Sequence, residues 1–201
     1  MNTRVVLALL GGLAAVAAWQ LSHRPRQHPA GVLVAEAPLQ SDVEATLALP
    51  RKGEFALTPL ARFSMSARVL GRADYRWDTE AKLVPTDLAL GWGRMSDSTV
   101  LDQVDITQSG RFYHWQVREF PIPESEIIGS SANMHLIAAD TLVERAIGRT
   151  RVGDVVSFDG FLVRADGPNG YHWVSSLTRS DSGSGACELV WVEHFAIAAP
   201  R

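Results

Sequence analysis

Residues 5 to 21, VVLALLGGLAAVAAWQL, form seventeen uncharged, mostly apolar positions close to the start of a 201-residue chain. No other stretch is so long and so free of charge, and it predicts that the chain meets a membrane. As a helix the run would be about 25 Å long, slightly short of a bilayer's hydrocarbon core. Trp19 suits an interfacial position, and Arg24 and Arg26 follow it as a short basic collar. Two readings stay open. In one the run is a retained single-pass anchor. In the other it is a cleaved signal peptide, with Arg4 as its charged start and Ala15-Val16-Ala17 as the small-residue cleavage pattern. Trp19, which would sit almost at the new N-terminus, and the apolar continuation past Ala17 count against cleavage. With the N-terminus inside, both readings put the bulk of the chain outside the cytoplasm; Arg24 and Arg26 offset Arg4, so the basic residues do not fix the orientation. The expected location is the inner membrane with the globular part in the periplasm, or the periplasm itself after cleavage.

Three segments are expected: the membrane segment over 1–22, an irregular linker over 23–53 and a β-rich globular domain over 54–198. All 22 acidic residues lie beyond residue 35, whereas Arg4, Arg24 and Arg26 precede it. The rest of the chain therefore sets 16 of the 19 basic residues against 22 acidic ones, a net charge of −6. Such a domain is ill suited to nucleic acid, whose phosphates demand basic surface. Beyond the basic collar it is repelled by anionic lipid. Cys187 is the one cysteine, so no intrachain disulfide can form.

The first strand signal is Arg62 to Leu70, where Phe63, Met65, Ala67 and Val69 alternate with Ser64, Ser66 and Arg68. Pro85 to Val104 has a more helical pattern, with Thr86 or Asp87 as a cap. Arg111 to Arg118 is a strand, Pro121 and Pro123 confine the chain to a loop or sheet edge, and Ile127 to Ile137 is a kinked strand. Asp140 caps a short helix through Arg149. Asp154 to Arg164 is a strand with a glycine bulge at Gly160, and Asp166 to Gly170 turns it into Tyr171 to Leu177. Ala186 to Phe195 is the last strand. Six strands with one helix inserted between the third and fourth give a mainly β (α+β) domain. The expected architecture is a small, partly closed antiparallel barrel similar to an OB-fold, with one extra strand at the end.

Chemistry-bearing groups are sparse. His114, His135, His172 and His194 form no metal-ligand spacing, so no metal site is expected, and no cofactor motif is present. Gly91-Trp92-Gly93 lacks the third glycine of a nucleotide loop. Glu124 and Glu126 are expected as solvated carboxylates on an exposed loop. A thiol enzyme would use Cys187 as nucleophile with His135 or His172 as base. Trp77 and Trp92 lie outside regular strands and are expected as a recognition surface, and Arg179 and Asp181 sit on a flexible loop of the kind that binds ligands.

Three segments resemble those of an uncharacterised family of membrane-anchored or exported proteobacterial proteins with an OB-like barrel. They are Asp87-Leu88-Ala89-Leu90-Gly91-Trp92-Gly93, Ser131-Ala132-Asn133-Met134-His135-Leu136, and Ser175-Ser176-Leu177-Thr178-Arg179 running on to Gly185-Ala186-Cys187-Glu188. The resemblance implies a kind of protein and transfers no catalytic residue. Together these readings give Trp92, Arg94, Asn133, His135, Arg179 and Asp181 as candidate ligand- or partner-binding residues. The expected function is a non-enzymatic envelope protein, held to the membrane through residues 5–21, that binds or scaffolds another envelope component. The alternative is a periplasmic cysteine-dependent hydrolase or thiol enzyme.

Overall fold

The computed structural model of the protein describes residues 24–178 and 187–199, together with Gly12. Apart from Gly12, the apolar run expected to form a transmembrane helix lies outside the described residues. Among those described, no helix is long and apolar enough to cross a membrane.

In chain order the strands are β1 (Leu39–Ser41), β2 (Ala56–Asp74), β3 (Thr86–Gly91), β4 (Val104–Ser109), β5 (Phe112–Val117), β6 (Ser131–Ala138), β7 (Val155–Asp166), β8 (His172–Val174) and β9 (Glu188–Ile197). The helices are α1 (Ser98–Leu101), α2 (Glu124–Gly129) and α3 (Thr141–Gly148), with 3₁₀ turns at Glu80–Lys82, Gly93–Ser96 and Pro168–Gly170. The alternation of Phe63, Met65, Ala67 and Val69 does mark a strand, but β2 extends beyond it at both ends to 19 residues.

β2 pairs antiparallel with β7 from Ala56↔Asp166 to Arg68↔Val155, then with β3 from Arg68↔Gly91 to Asp74↔Thr86. β3 pairs antiparallel with β6, β6 runs parallel to β9, and β9 returns antiparallel to β7. The ring β2-β3-β6-β9-β7 thus closes on β2. β1 adds to β2 and β8 to the far end of β7, while β4 and β5 form a separate hairpin.

Alternation distributes the strands' side chains between two environments. Phe63, Leu88, Leu90, Met134, Leu136, Phe158, Leu162 and Val190 form one buried cluster within the ring. The intervening residues Ile137, Phe161, Leu189 and Trp191 join a second cluster, covered by Val43, Leu47, Leu49 and Trp173. Ala89 joins a third, covered by Val100, Ile127 and the hairpin residues Ile106, Tyr113 and Trp115. β3 and β6 are therefore buried along their whole length.

That double burial explains the main difference from expectation. Residues 86–91 form a strand, not the start of a helix, because a strand packed on both faces shows a continuous apolar run instead of alternation. The order also shifts: 111–118 lies in the detached hairpin, and the additional strands are β1 and β8 instead of one at the end. Pro123 precedes a helix, Glu124–Gly129, so Ile127 is helical and Glu124 and Glu126 stand on α2 rather than on a loop. Asp140 caps α3 as expected, accepting from the N–H groups of Leu142 and Val143.

Much of the segment expected to be a linker is fastened to the barrel. Arg26 N–H donates to the Val152 carbonyl at 2.8 Å, and Gly93 N–H to the Val34 carbonyl at 2.8 Å. The Leu33 and Val34 N–H groups both donate to Ser96 Oγ at 3.1 Å, and Val34 is buried. The arm from Arg26 to Val34 is part of the domain.

Gly160 stands at the register shift of β7, with φ +158°, where a Cβ would collide with the Trp191 carbonyl oxygen. Gly160→Ala is expected to destabilise the domain by about 3 kcal/mol. The reading is a lower urea midpoint at unchanged slope; an unchanged midpoint would contradict this packing.

Candidate functional site

Between the second and third clusters lies a polar seam. The register sets Asp87 of β3 opposite His135 of β6, and both side chains are buried, at 0% and 2% exposure. His135 Nδ1 lies 2.8 Å from Asp87 Oδ1, an ion-pair distance, but the approach is too oblique for a hydrogen bond. The hairpin turn delivers Arg111, whose φ of +72° is unusual for a side-chain-bearing residue. Its Nη1 donates to the Val84 carbonyl at 2.8 Å and to Asp87 Oδ1 at 3.2 Å, and its Nη2 to Asp78 Oδ1 at 2.8 Å. Its guanidinium stacks 3.8 Å from the centre of the Tyr75 ring.

Asn133 and Gln108 complete the seam. Asn133 Nδ2 donates to the Arg111 carbonyl at 2.9 Å, and Gln108 Nε2 to Asn133 Oδ1 at 2.8 Å. These bonds hold the turn in its left-handed conformation. Asp87 Oδ2 and Arg111 Nε are buried without a hydrogen-bond partner among the described residues. Arg111 Nε has only a longer ion-pair contact, 3.6 Å from Glu80 Oε2. The seam is costly to assemble and costly to break on one side only. A carboxylate beside an imidazole is a familiar catalytic pair, but here the Trp173 ring covers His135, with ring centroids 4.5 Å apart. A substrate would have to displace that ring to reach it.

Beyond Asn133 on the same strand, Ser131 Oγ donates to the Ile127 carbonyl at 2.6 Å and lies 2.7 Å from the Tyr113 hydroxyl. Burial pushes the Tyr113 phenol up from its ordinary value, the Ser131 bond opposes this, and Glu188 and Cys187 add to the rise. Cys187 is half-buried just before β9, and its carbonyl accepts from Ser176 N–H at 3.1 Å.

A second feature opens at the surface. Residues 75–85 and the turn 167–171 flank a groove of about 600 Å³ lined by Phe55, Asp78, Glu80, Pro168 and Tyr171. Tyr171 packs edge-on against Phe55 at 5.8 Å, and its hydroxyl donates to Glu80 Oε1 at 3.4 Å. Burial, then the Glu80 carboxylate, push its phenol up to about 12. One residue before Asp78 stands Trp77, 97% exposed. Trp77 is the most exposed of the large apolar side chains among the described residues.

The structure brings Asn133 and His135 into one network and separates the other expected residues. Trp92 is not on a surface: it is buried in the cluster within the ring, at 3% exposure. Arg94 is exposed and paired with Glu126, its Nε donating to Oε1 at 2.6 Å. His172 is exposed on β8, 3.3 Å from the Gly170 carbonyl. Arg179 and Asp181 lie outside the described residues. His194 is exposed beside Asp159 at 3.0 Å, and that contact pushes its imidazole up.

Sequence does not single out Arg111 or Tyr75, and it offers Asp87 only as a helix cap, whereas Asp87 lies inside β3. An Asp inside the apolar stretch Val84 to Leu90 would have pointed to a buried charge, had that stretch been read as a strand. Among the described residues, no group of three or more His, Cys, Asp or Glu side chains is arranged to hold a metal ion. No protein-family model matches the chain, and no curated protein matches it.

Arg111→Ala leaves Asp87 buried without its cation and removes the clamp on residues 75–85. The expected loss of unfolding free energy is about 3–5 kcal/mol, measured by urea denaturation. A loss within ordinary surface-mutant range would show that the seam does not hold the hairpin.

Proposed function

We infer that this is a non-enzymatic envelope protein: a single-pass membrane-anchored β-barrel that binds another envelope component. The observation that carries the reading is Trp77, 97% exposed and next in sequence to Asp78, which lines the groove between residues 75–85 and 167–171. The ring order first-second-third-fifth-fourth, closed between first and fourth strands, supports taking the barrel as an OB-fold. On such barrels the loops after the first and fourth strands carry ligand sites, and these are the two loops that flank the groove. The outer face of the second and third strands, where OB-folds take oligonucleotides, is covered here by the chain's own hairpin. With the domain's net negative charge, this favours a protein partner over nucleic acid.

The anchor is residues 5–21, with the barrel on the periplasmic side; cleavage after Ala17 would release the same barrel into the periplasm. The resemblance to membrane-anchored or exported proteobacterial proteins is part of this proposal. The thiol-enzyme alternative has weaker support. His135 is packed under Trp173 beside Asp87, and His172 lies on an edge strand with its imidazole by the Gly170 carbonyl.

The test is photo-crosslinking in cells from a reactive residue at position 77, with position 142 as control, since Leu142 is also exposed, at 70%. A discrete adduct from 77 and none from 142 is expected. Trp77→Ala should then weaken partner binding by about 2 kcal/mol, roughly thirtyfold, while Cys187→Ser leaves it unchanged. No adduct from 77, or the same adducts from both positions, would contradict the reading.

A further inference from the structure

The chain enters the barrel at one fixed point. Besides the Arg26 N–H bond to Val152, Arg26 Nε donates to Asp154 Oδ1 at 3.2 Å, and His28 Nε2 lies 2.7 Å from the Gly153 carbonyl. Ser98 Oγ donates to the His28 carbonyl at 3.0 Å, and Gly31 N–H to Asp97 Oδ1 at 3.0 Å. Gly153, at φ +89°, has no room for a side chain: a Cβ would collide with the Arg26 carbonyl oxygen. Residues 26–31 are thus seated on the α3–β7 loop and α1, and cannot act as a free tether. Only residues 22–25 separate this seat from the apolar run, a reach of at most about 14 Å.

The charges at this seat oppose those of the domain. Arg24 and Arg26 on the arm and Arg149 on the loop are exposed, and Arg151 is half-exposed beside them. The carboxylate in contact with this group, Asp154, is 7% exposed and is taken by Arg26. Asp97, which accepts from Gly31 N–H, the exposed Asp102, and Glu144 a turn back on α3 are the carboxylates on its flanks. At the tip of the loop Val152 is 36% exposed. A domain of net negative charge therefore presents arginines and an apolar tip at the point nearest the apolar run.

We propose that the loop Arg149–Asp154, together with Arg24 and Arg26, is a surface that lies on an anionic bilayer and fixes how the barrel stands on it. The proposal rests on the membrane-anchor reading and deepens it. The arginines sit among headgroup phosphates within a Debye length of the surface, and Val152 meets the acyl boundary. The expectation that anionic lipid repels everything beyond the collar is thereby narrowed, since the collar and this loop form one patch. The groove lies at the other end of β7, which runs from Val155 to Asp166. A barrel standing on the loop holds Trp77 and Tyr171 clear of the membrane.

The test uses the full chain in the Cys187→Ser background, with an environment-sensitive fluorophore on Val152→Cys or, separately, on Trp77→Cys. It is reconstituted in phosphatidylcholine vesicles with and without phosphatidylglycerol. The expected result is flotation with both vesicles, a blue shift at position 152 only with phosphatidylglycerol, and no shift at 77. Arg149→Gln with Arg151→Gln should abolish the shift while the protein still floats with an unchanged far-ultraviolet spectrum. Flotation with no shift at 152, or with equal shifts in both vesicles or at both positions, would overturn the orientation and leave the anchor standing. Absence of flotation would overturn the anchor reading itself, and this proposal with it.

Discussion

A straight strand of 19 residues would be about 63 Å long, longer than a domain of this size is wide. β2 cannot run straight, and its register shifts between Pro59 and Ala61 and between Val69 and Gly71 let it bend. One part of the strand is then free to pair with β7 and the other with β3. That double pairing closes the ring, and every other element takes its place from it. β6 and β9 lie where β3 and β7 leave room, and α3 bridges the gap between β6 and β7.

Closure also gives the molecule two ends. At the start of β7 the loop Arg149–Asp154 receives the arm, and at its finish the turn 167–171 meets residues 75–85. The seam lies on the outer face between them, where Arg111 ties the hairpin to Asp87 and to the loop residue Asp78. Its role follows from burial. Three carboxylates, Asp78, Glu80 and Asp87, held by one guanidinium fix the geometry of covering layers, and His135, beside Asp87, is closed off by Trp173. The seam clasps the hairpin to the barrel.

Legibility followed how local each signal was. The period-two pattern of Phe63, Met65, Ala67 and Val69 and the Asp140 cap each depend on neighbours in sequence, and both elements stand where expected. β3 was misread because the ring covers one face and the hairpin the other, which removes the alternation that marks a strand. The arm was taken for a linker because its bonds run to Val152, Gly93 and Ser96, contacts more than 55 residues away that leave no periodicity. Asn133 and His135, two apart on one strand, share a face and were found together. Asp87 reads locally as a helix cap and Arg111 as an ordinary strand residue, because the pairing that explains them spans 24 residues. Trp92 lies outside the regular strands, which suggests a recognition surface, whereas it fills the barrel, in line with the close packing that Gly91-Trp92-Gly93 also suggests.

The arm is part of the fold, and its seat gives the barrel a fixed end. Hydrogen exchange resolved at single amides on the full chain tests this most directly. The Arg26, Leu33 and Val34 amides should exchange with protection comparable to the amides of β2. Exchange at unstructured rates from Arg26 to Val34, with β2 still protected, would mean that the arm is a loose tether and that the barrel has no fixed stance.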